Sequence, residues 1–217
     1  MEGIIIKNQS NDYTVRTSNG LYVCKPRGKF RNDKITPLVG DSVIIDDINN
    51  YLLEILPRKN SLIRPPIANI DIALIAVSVK EPNFDSNLLD KLLTIISFNN
   101  IEPVICLTKL DLLTEEERNE ISKALGRGKH TTRCVTLYEV DGALIADTPG
   151  FSSVDFRGMT KLDIRDNMKE MFDGLHYCKY RDCMHIKEDG CYIKETLEKG
   201  NILPSRYNNY KSFIGGK

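Results

Sequence analysis

The chain has 217 residues, 41% of them hydrophobic, and its 30 basic side chains balance 30 acidic ones. That composition suits a soluble protein of one to three modest domains, and no apolar run approaches the ~20 residues that a membrane-spanning helix requires. A neutral total does not exclude nucleic acid, but it calls for a local footprint, because the charge that binds it has to be clustered.

Residues 1–66 read as all-β. Met1-Glu2-Gly3 leads directly into the strand-like Ile4-Ile5-Ile6, with no targeting segment, so a cytoplasmic protein is expected. Tyr13–Val15, Leu21–Cys24 and Ser42–Ile45 are short runs separated by Gly, Asn and Asp, and Ser18-Asn19-Gly20 is a hairpin signal. Strands at this spacing predict a small barrel, closed off in sequence by Pro65-Pro66. Lys25, Arg27, Lys29, Arg31 and Lys34 crowd into ten positions of it. A nucleic-acid contact and a solvated loop face are both open readings of that run.

Residues 67–156 change character. Ile70–Val79 is a nearly continuous apolar run, as for a strand covered on both faces. Leu88–Ile96 has helical spacing, and Pro103–Leu107 is a second buried strand. Val140–Ala146, ending in Asp147, is expected as a third. Strand, helix, strand predicts a parallel α/β sheet.

Residues 157–217 are polar and irregular, with helical stretches near Leu162–Phe172 and Ile193–Lys199. Between these helices stand Cys178, Cys183, His185 and Cys191, spaced C-x4-C-x-H-x5-C. Three thiols and one imidazole in fourteen positions supply a full tetrahedral ligand set for Zn²⁺. With no ligand position left open the ion would be structural, and a zinc hydrolase is a poor reading. Three Cys cannot pair among themselves, which disfavours a disulfide framework. Cys24, Cys106 and Cys134 are scattered and read as reduced core residues.

Two motifs follow apolar strands, where α/β sheets bind ligands. Thr108-Lys109-Leu110-Asp111 places a carboxylate that can accept two parallel hydrogen bonds from guanine N1–H and N2–H. Adenine lacks that donor pair, and such a polar mismatch can discriminate by ~10⁴–10⁵. The Lys109 stem can cover the base. A helix-capping Asp is the alternative. Asp147-Thr148-Pro149-Gly150 offers a carboxylate for water-mediated Mg²⁺ and a Gly150 N–H for a γ-phosphate, although it also makes a good β-turn. Between them, Gly126–Arg133 is flexible, basic and hydroxyl-rich. Thr131 or Thr132 could ligate Mg²⁺, as switch segments do, and a plain surface loop is the other reading. The order, guanine motif before switch before D-x-x-G, is a circular permutation of an ordinary GTPase.

These residues resemble the RsgA (YjeQ/YloQ) family of circularly permuted, ribosome small-subunit-dependent GTPases. The resemblance covers nearly the whole chain, including Arg27–Arg31, Pro37–Asp41, Pro57–Asn60, Arg64–Asp71, Leu125–Arg133, Asp147–Phe151 and the Cys/His cluster. It implies an OB-fold barrel (1–66), a permuted P-loop GTPase domain of α/β fold (67–156) and a mostly helical zinc domain (157–217). It also implies GTP hydrolysis with Mg²⁺, stimulated by the small ribosomal subunit, in that subunit's late maturation. The basic run Lys25, Arg27, Lys29, Arg31 and the zinc module would face rRNA, and the protein would act as a monomer away from membranes. Phe151 follows D-x-x-G where a Ras-like enzyme has its water-orienting Gln, so slow intrinsic turnover is expected. His130 is the candidate for the missing group, with a simple RNA or phosphate contact as its alternative.

One departure stands out. The family's G-x-x-x-x-G-K-[ST] phosphate loop is missing: only fourteen residues separate Asp111 from Gly126, and the flanking segments join near Arg118-Asn119. A strand, loop and helix would need roughly 30 residues. Either residues of the molecule are left out of this stretch, which the intact flanking motifs favour, or the loop is deleted. In the second case the chain is a non-enzymatic RNA-binding protein, a barrel and a zinc knuckle on an inert α/β spacer.

Overall fold

The computed structural model of the protein describes residues 1–28, 30, 35–81, 84–112, 114, 136–147 and 154–215. They form two compact units, residues 1–71 with 136–147, and residues 72–112 with 154–215.

In the first unit β1 (Glu2–Gln9), β2 (Asp12–Thr17), β3 (Gly20–Pro26), β4 (Ser42–Asp46) and β5 (Tyr51–Ile55) follow the order β1-β2-β3-β5-β4. A further β1–β4 pairing closes them into the expected barrel. Alternation along the strands sends Ile5, Val15, Cys24, Val43 and Leu52 into a core from which water is fully excluded. The β2–β3 hairpin has register Thr17↔Gly20, so Ser18-Asn19 is its two-residue loop. Gly40 and Asp41 fasten the barrel's lower edge. Gly40 has φ +89°, and a Cβ there would overlap the Ala68 carbonyl oxygen. The fully buried Asp41 carboxylate accepts hydrogen bonds from Leu38 N–H (2.7 Å) and from Arg58 Nε and Nη2 (2.7 and 2.8 Å). Short strands β6 (Ser61–Leu62) and β7 (Ile67–Ala68) follow.

The second unit carries the strand–helix–strand predicted from the apolar runs. β8 (Ile72–Ser78) and β9 (Glu102–Thr108) are parallel in continuous register, Ile72↔Glu102 to Ser78↔Thr108, connected by α1 (Ser86–Phe98). Asp85 caps α1 by accepting from Leu88 N–H at 3.1 Å. Helix α1 buries Leu92 and Ile96. Helix α1 packs on this sheet, and the apolar run departs from the expected double cover: Leu74 is 67% exposed.

The segment 140–146 also departs from expectation. It is not a third parallel strand. β10 (Thr136–Val140) and β11 (Ala143–Asp147) form an antiparallel hairpin that joins β1 at Lys7↔Thr136. Asp141 and Gly142 take φ +49° and +81°, so this Asp-Gly turn folds the two runs back on each other locally. An ion pair from Arg16 to Glu139 ties the hairpin to the barrel.

Helices α2 (Lys161–Asp166), α3 (Lys169–Leu175), α4 (Tyr192–Glu198) and α5 (Pro204–Phe213) complete the second unit. The single helix expected over 162–172 is two, because the chain is interrupted at Asn167-Met168 and Thr160 and Asp163 form a capping box that starts the first. Their core is Ile164, Met168, Met171, Ile193, Tyr207 and Tyr210. A buried polar network binds α1 to α5 and α3. Arg206 pairs with Asp90 and with Glu170 (2.9 Å), and Asn209 Nδ2 donates to Asp90 at 2.7 Å.

Candidate functional site: a metal centre and a guanine loop

The four predicted zinc ligands converge. Cys178 lies just past α3, Cys183 and His185 on the following loop, and Cys191 at the N-cap of α4. Their ligand atoms lie within 4.8 Å of one another. His185 Nδ1 is 3.6 Å from Cys178 Sγ and 3.3 Å from Cys191 Sγ. A tetrahedral ion with Zn–N near 2.0 Å and Zn–S near 2.3 Å requires N···S edges of about 3.5 Å, so the set fits zinc.

The imidazole's other nitrogen fixes which atom faces the metal. Nε2 lies 3.0 Å from the Met171 carbonyl, so it carries the proton and donates it, leaving Nδ1 as the ligand. Burial, with Arg165 nearby, holds the His185 pKa below its ordinary value, which keeps the ring in its neutral, ligating form. Burial also pushes the Cys183 thiol up to about 12 and raises Cys191. Thiolates at this depth need a cation beside them, and a bound zinc ion would supply that charge.

Partners distant in sequence hold the loop. Glu188 accepts from the N–H groups of Met184, Ile186 and Lys187, each at 2.9 Å. Tyr207 donates to the His185 carbonyl (2.6 Å), Tyr210 to Met184 (2.8 Å) and Arg165 to Cys183 (3.3 Å). Sequence reasoning missed all of these. Glu188 carried a usable signal, an acid inside the ligand loop, but the tyrosines carried none.

The second site is the turn after β9. The parallel ladder runs one residue past the strands, with Val79 N–H donating to the Thr108 carbonyl at 3.1 Å. Thr108 Oγ1 donates to the Val77 carbonyl (3.3 Å). Lys109 turns the chain with φ +61°, and its ammonium donates to the Glu81 carbonyl. Leu112 N–H bonds back to Lys109 O at 3.1 Å, closing a 3₁₀ turn over Leu110–Leu112. Asp111 stands exposed on this turn, with no ion pair or hydrogen bond to its carboxylate among the described residues. The carboxylate is thus open to solvent on the described turn.

Asp147 closes β11, with its backbone opposite Thr136, in the unit that holds the barrel. His130, Thr131, Thr132 and Gly150 lie outside the described residues, as do Lys29 and Arg31. Lys25 and Arg27 are exposed at the end of β3, with the Arg27 guanidinium 3.8 Å from Asp46. Among the described residues no helix is long and apolar enough to cross a membrane.

The chain is similar to known proteins along its whole length. The family model described as RsgA N-terminal domain matches residues 2–51, and that described as RsgA GTPase matches 55–120 and 117–157. A small ribosomal subunit biogenesis GTPase RsgA from Enterococcus faecalis is 38% identical, the alignment covering 99% of this chain and 94% of the relative. Among solved structures, YloQ, a circularly permuted GTPase, has a TM-score of 0.78 at 32% identity (99% of this chain, 93% of the other). YjeQ from Thermotoga maritima has a TM-score of 0.81 at 27% identity (100% and 99%). The GTPase model matches in two pieces that meet at 117–120, and the Enterococcus alignment runs over 280 positions against 217 residues here. More than sixty positions of that alignment thus have no counterpart in this chain. The break falls where the phosphate-loop motif is missing from the 217 residues. With a barrel model and a GTPase model matched in succession, and a relative aligned nearly end to end, the chain belongs to the RsgA GTPase family.

Proposed function

We propose that this protein is a GTP-hydrolysing factor of small ribosomal subunit biogenesis, acting on the subunit and stimulated by it. The observation that carries this is the Thr108–Asp111 turn, an exposed carboxylate at the carboxyl end of a parallel strand pair, in a chain whose relatives are named for that activity. In sequence the barrel occupies 1–66, the GTPase domain 67–156 and the zinc domain 157–217. Thr108, Lys109 and Asp111 read guanine. Mg²⁺ would be held through Asp147 and Thr131 or Thr132, with Gly150 at the γ-phosphate and His130 orienting water where Phe151 cannot. Lys25, Arg27, Lys29, Arg31 and the zinc module meet rRNA. The ion is one structural Zn²⁺, and the protein works as a cytoplasmic monomer.

The test is steady-state GTP turnover with and without purified small subunits. Turnover should be slow alone, rise on adding subunits and vanish in Asp111→Asn. Fast turnover without subunits would refute the reading.

The missing phosphate loop favours a second reading, an RNA-binding protein of the same family without hydrolysis. In that case subunits bind, no turnover appears, and Asp111→Asn leaves subunit binding unchanged.

A further inference from the structure

We infer that a groove between α3 and α4 binds the guanidinium of an arginine side chain presented by a basic protein segment. None of the zinc ligands lines this groove, and the inference does not rest on the guanine reading.

The groove exists because α3 carries a glycine where it faces α4. A Cβ on Gly174 would lie 2.3 Å from Ile193 Cδ1 and 3.3 Å from Tyr192 Cδ1, so the helices meet at a position with no side chain. Beside that contact is an open space of about 260 Å³ whose lining includes Glu170, Asp173, Tyr177, Tyr192 and Asn201. That volume suits one long side chain better than a whole small molecule, for which pockets begin near ~300 Å³.

The lining selects a planar cation. Tyr177 is 70% exposed and leans on Tyr192, with ring centroids 4.8 Å apart, so an aromatic ring is held open to solvent. Glu170 and Asp173 stand one turn apart on α3. Each carboxylate is committed at one oxygen: Glu170 Oε2 accepts from Arg206 Nε and Nη2 (3.1 and 2.9 Å), and Asp173 Oδ2 from Lys169 Nζ (2.6 Å). Glu170 Oε1, Asp173 Oδ1 and the Asn201 amide have no partner among the described residues. Among those residues no lysine or arginine lines the groove. A guanidinium stacks flat on a tyrosine ring while its edge donates to carboxylates, a combination that a compact ammonium matches less well. A nucleic-acid strand is disfavoured, because its phosphates would come beside two carboxylates. The Lys169–Asp173 pair is solvent-exposed and weak enough to yield to the ligand. This face of the helical unit is therefore a protein contact, and rRNA contacts fall to other faces.

The test is an NMR titration of the ¹⁵N-labelled, zinc-loaded full chain with N-acetyl-arginine amide, with N-acetyl-lysine amide and cytidine monophosphate as controls. The arginine compound should shift the backbone amides of Gly174, Tyr177, Tyr192 and Asn201, with a Kd on the order of 1 mM. The lysine compound should bind at least about threefold more weakly, and the nucleotide should leave these amides unmoved. Tyr177→Ala should weaken arginine binding about two- to fivefold, and Tyr177→Phe should retain it, since the ring makes the contact. Asp173→Asn should weaken it roughly tenfold. Both side chains are exposed, so the variants should fold, and unchanged amide shifts outside the groove verify that. Absence of a saturable arginine shift, equal binding of the lysine compound, or arginine binding indifferent to both Tyr177→Ala and Asp173→Asn overturns the inference. So does movement of these amides by the nucleotide alone, which would make the groove an RNA contact.

Discussion

Replacing Arg206 with Ala should detach α5 from α1 at a cost that follows from burial. Asp90 is 6% exposed and accepts from Arg206 and Asn209, whereas Glu170, the other partner of Arg206, lies nearer solvent. Removing the guanidinium leaves the Asp90 carboxylate buried with one neutral donor. Breaking a buried pair from one side costs about 3–5 kcal/mol, and the Glu170 contact adds at most ~1 kcal/mol. The retained Asn209 bond places the expectation near the lower figure, ~3 kcal/mol, which corresponds to a fall in Tm of roughly 6–12 °C for a chain of this size. Burial already raises the Asp90 carboxyl, with Arg206 pulling the other way. In the variant the upward push is unopposed by that charge, so the folded state holds the proton more tightly than the unfolded state. The penalty is full above the folded pKa and shrinks as pH falls through it. Urea unfolding of the zinc-loaded protein at neutral and mildly acidic pH measures both effects. In a double-mutant cycle, Asp90→Asn with Arg206→Met should recover most of the loss. A cost under ~1 kcal/mol, or a cost unchanged by pH, would refute the reasoning.

Two other outcomes are expected. Chelation of zinc should unfold the region of α2 to α5 without melting the barrel, because apparent zinc-binding energies of ~10–16 kcal/mol are folding energy for small modules. Circular dichroism with a chromophoric chelator should register one Zn²⁺ released per chain and recovery on Zn²⁺ but not Mg²⁺. Gly40→Ala should destabilise the barrel by at least ~1–3 kcal/mol, from φ +89° and the clash with Ala68 O, and a Tm within a degree of the parent would contradict this.

The amino-acid sequence by itself determined whatever is written in neighbouring residues. The Cys/His cluster spans fourteen positions, which spacing alone exposed, and the Thr108–Asp111 candidate is a tetrapeptide after an apolar strand, legible as a candidate in the same local way. The Asp141-Gly142 hairpin was equally local. It went unread because an apolar run ending in Asp147 fits a parallel strand as well as a hairpin arm, and periodicity does not separate the two. Only the tertiary structure decided the rest. Asp41 meets Arg58 across seventeen positions, and Tyr207 meets His185 across twenty-two. Helix α5 has too little apolar patterning to announce itself, and it is held by Tyr210 in the core and Arg206 at Asp90. Such contacts follow from where the chain returns in space. A buried polar group must find some partner there, but which residue supplies it is settled by packing, which no local spacing records.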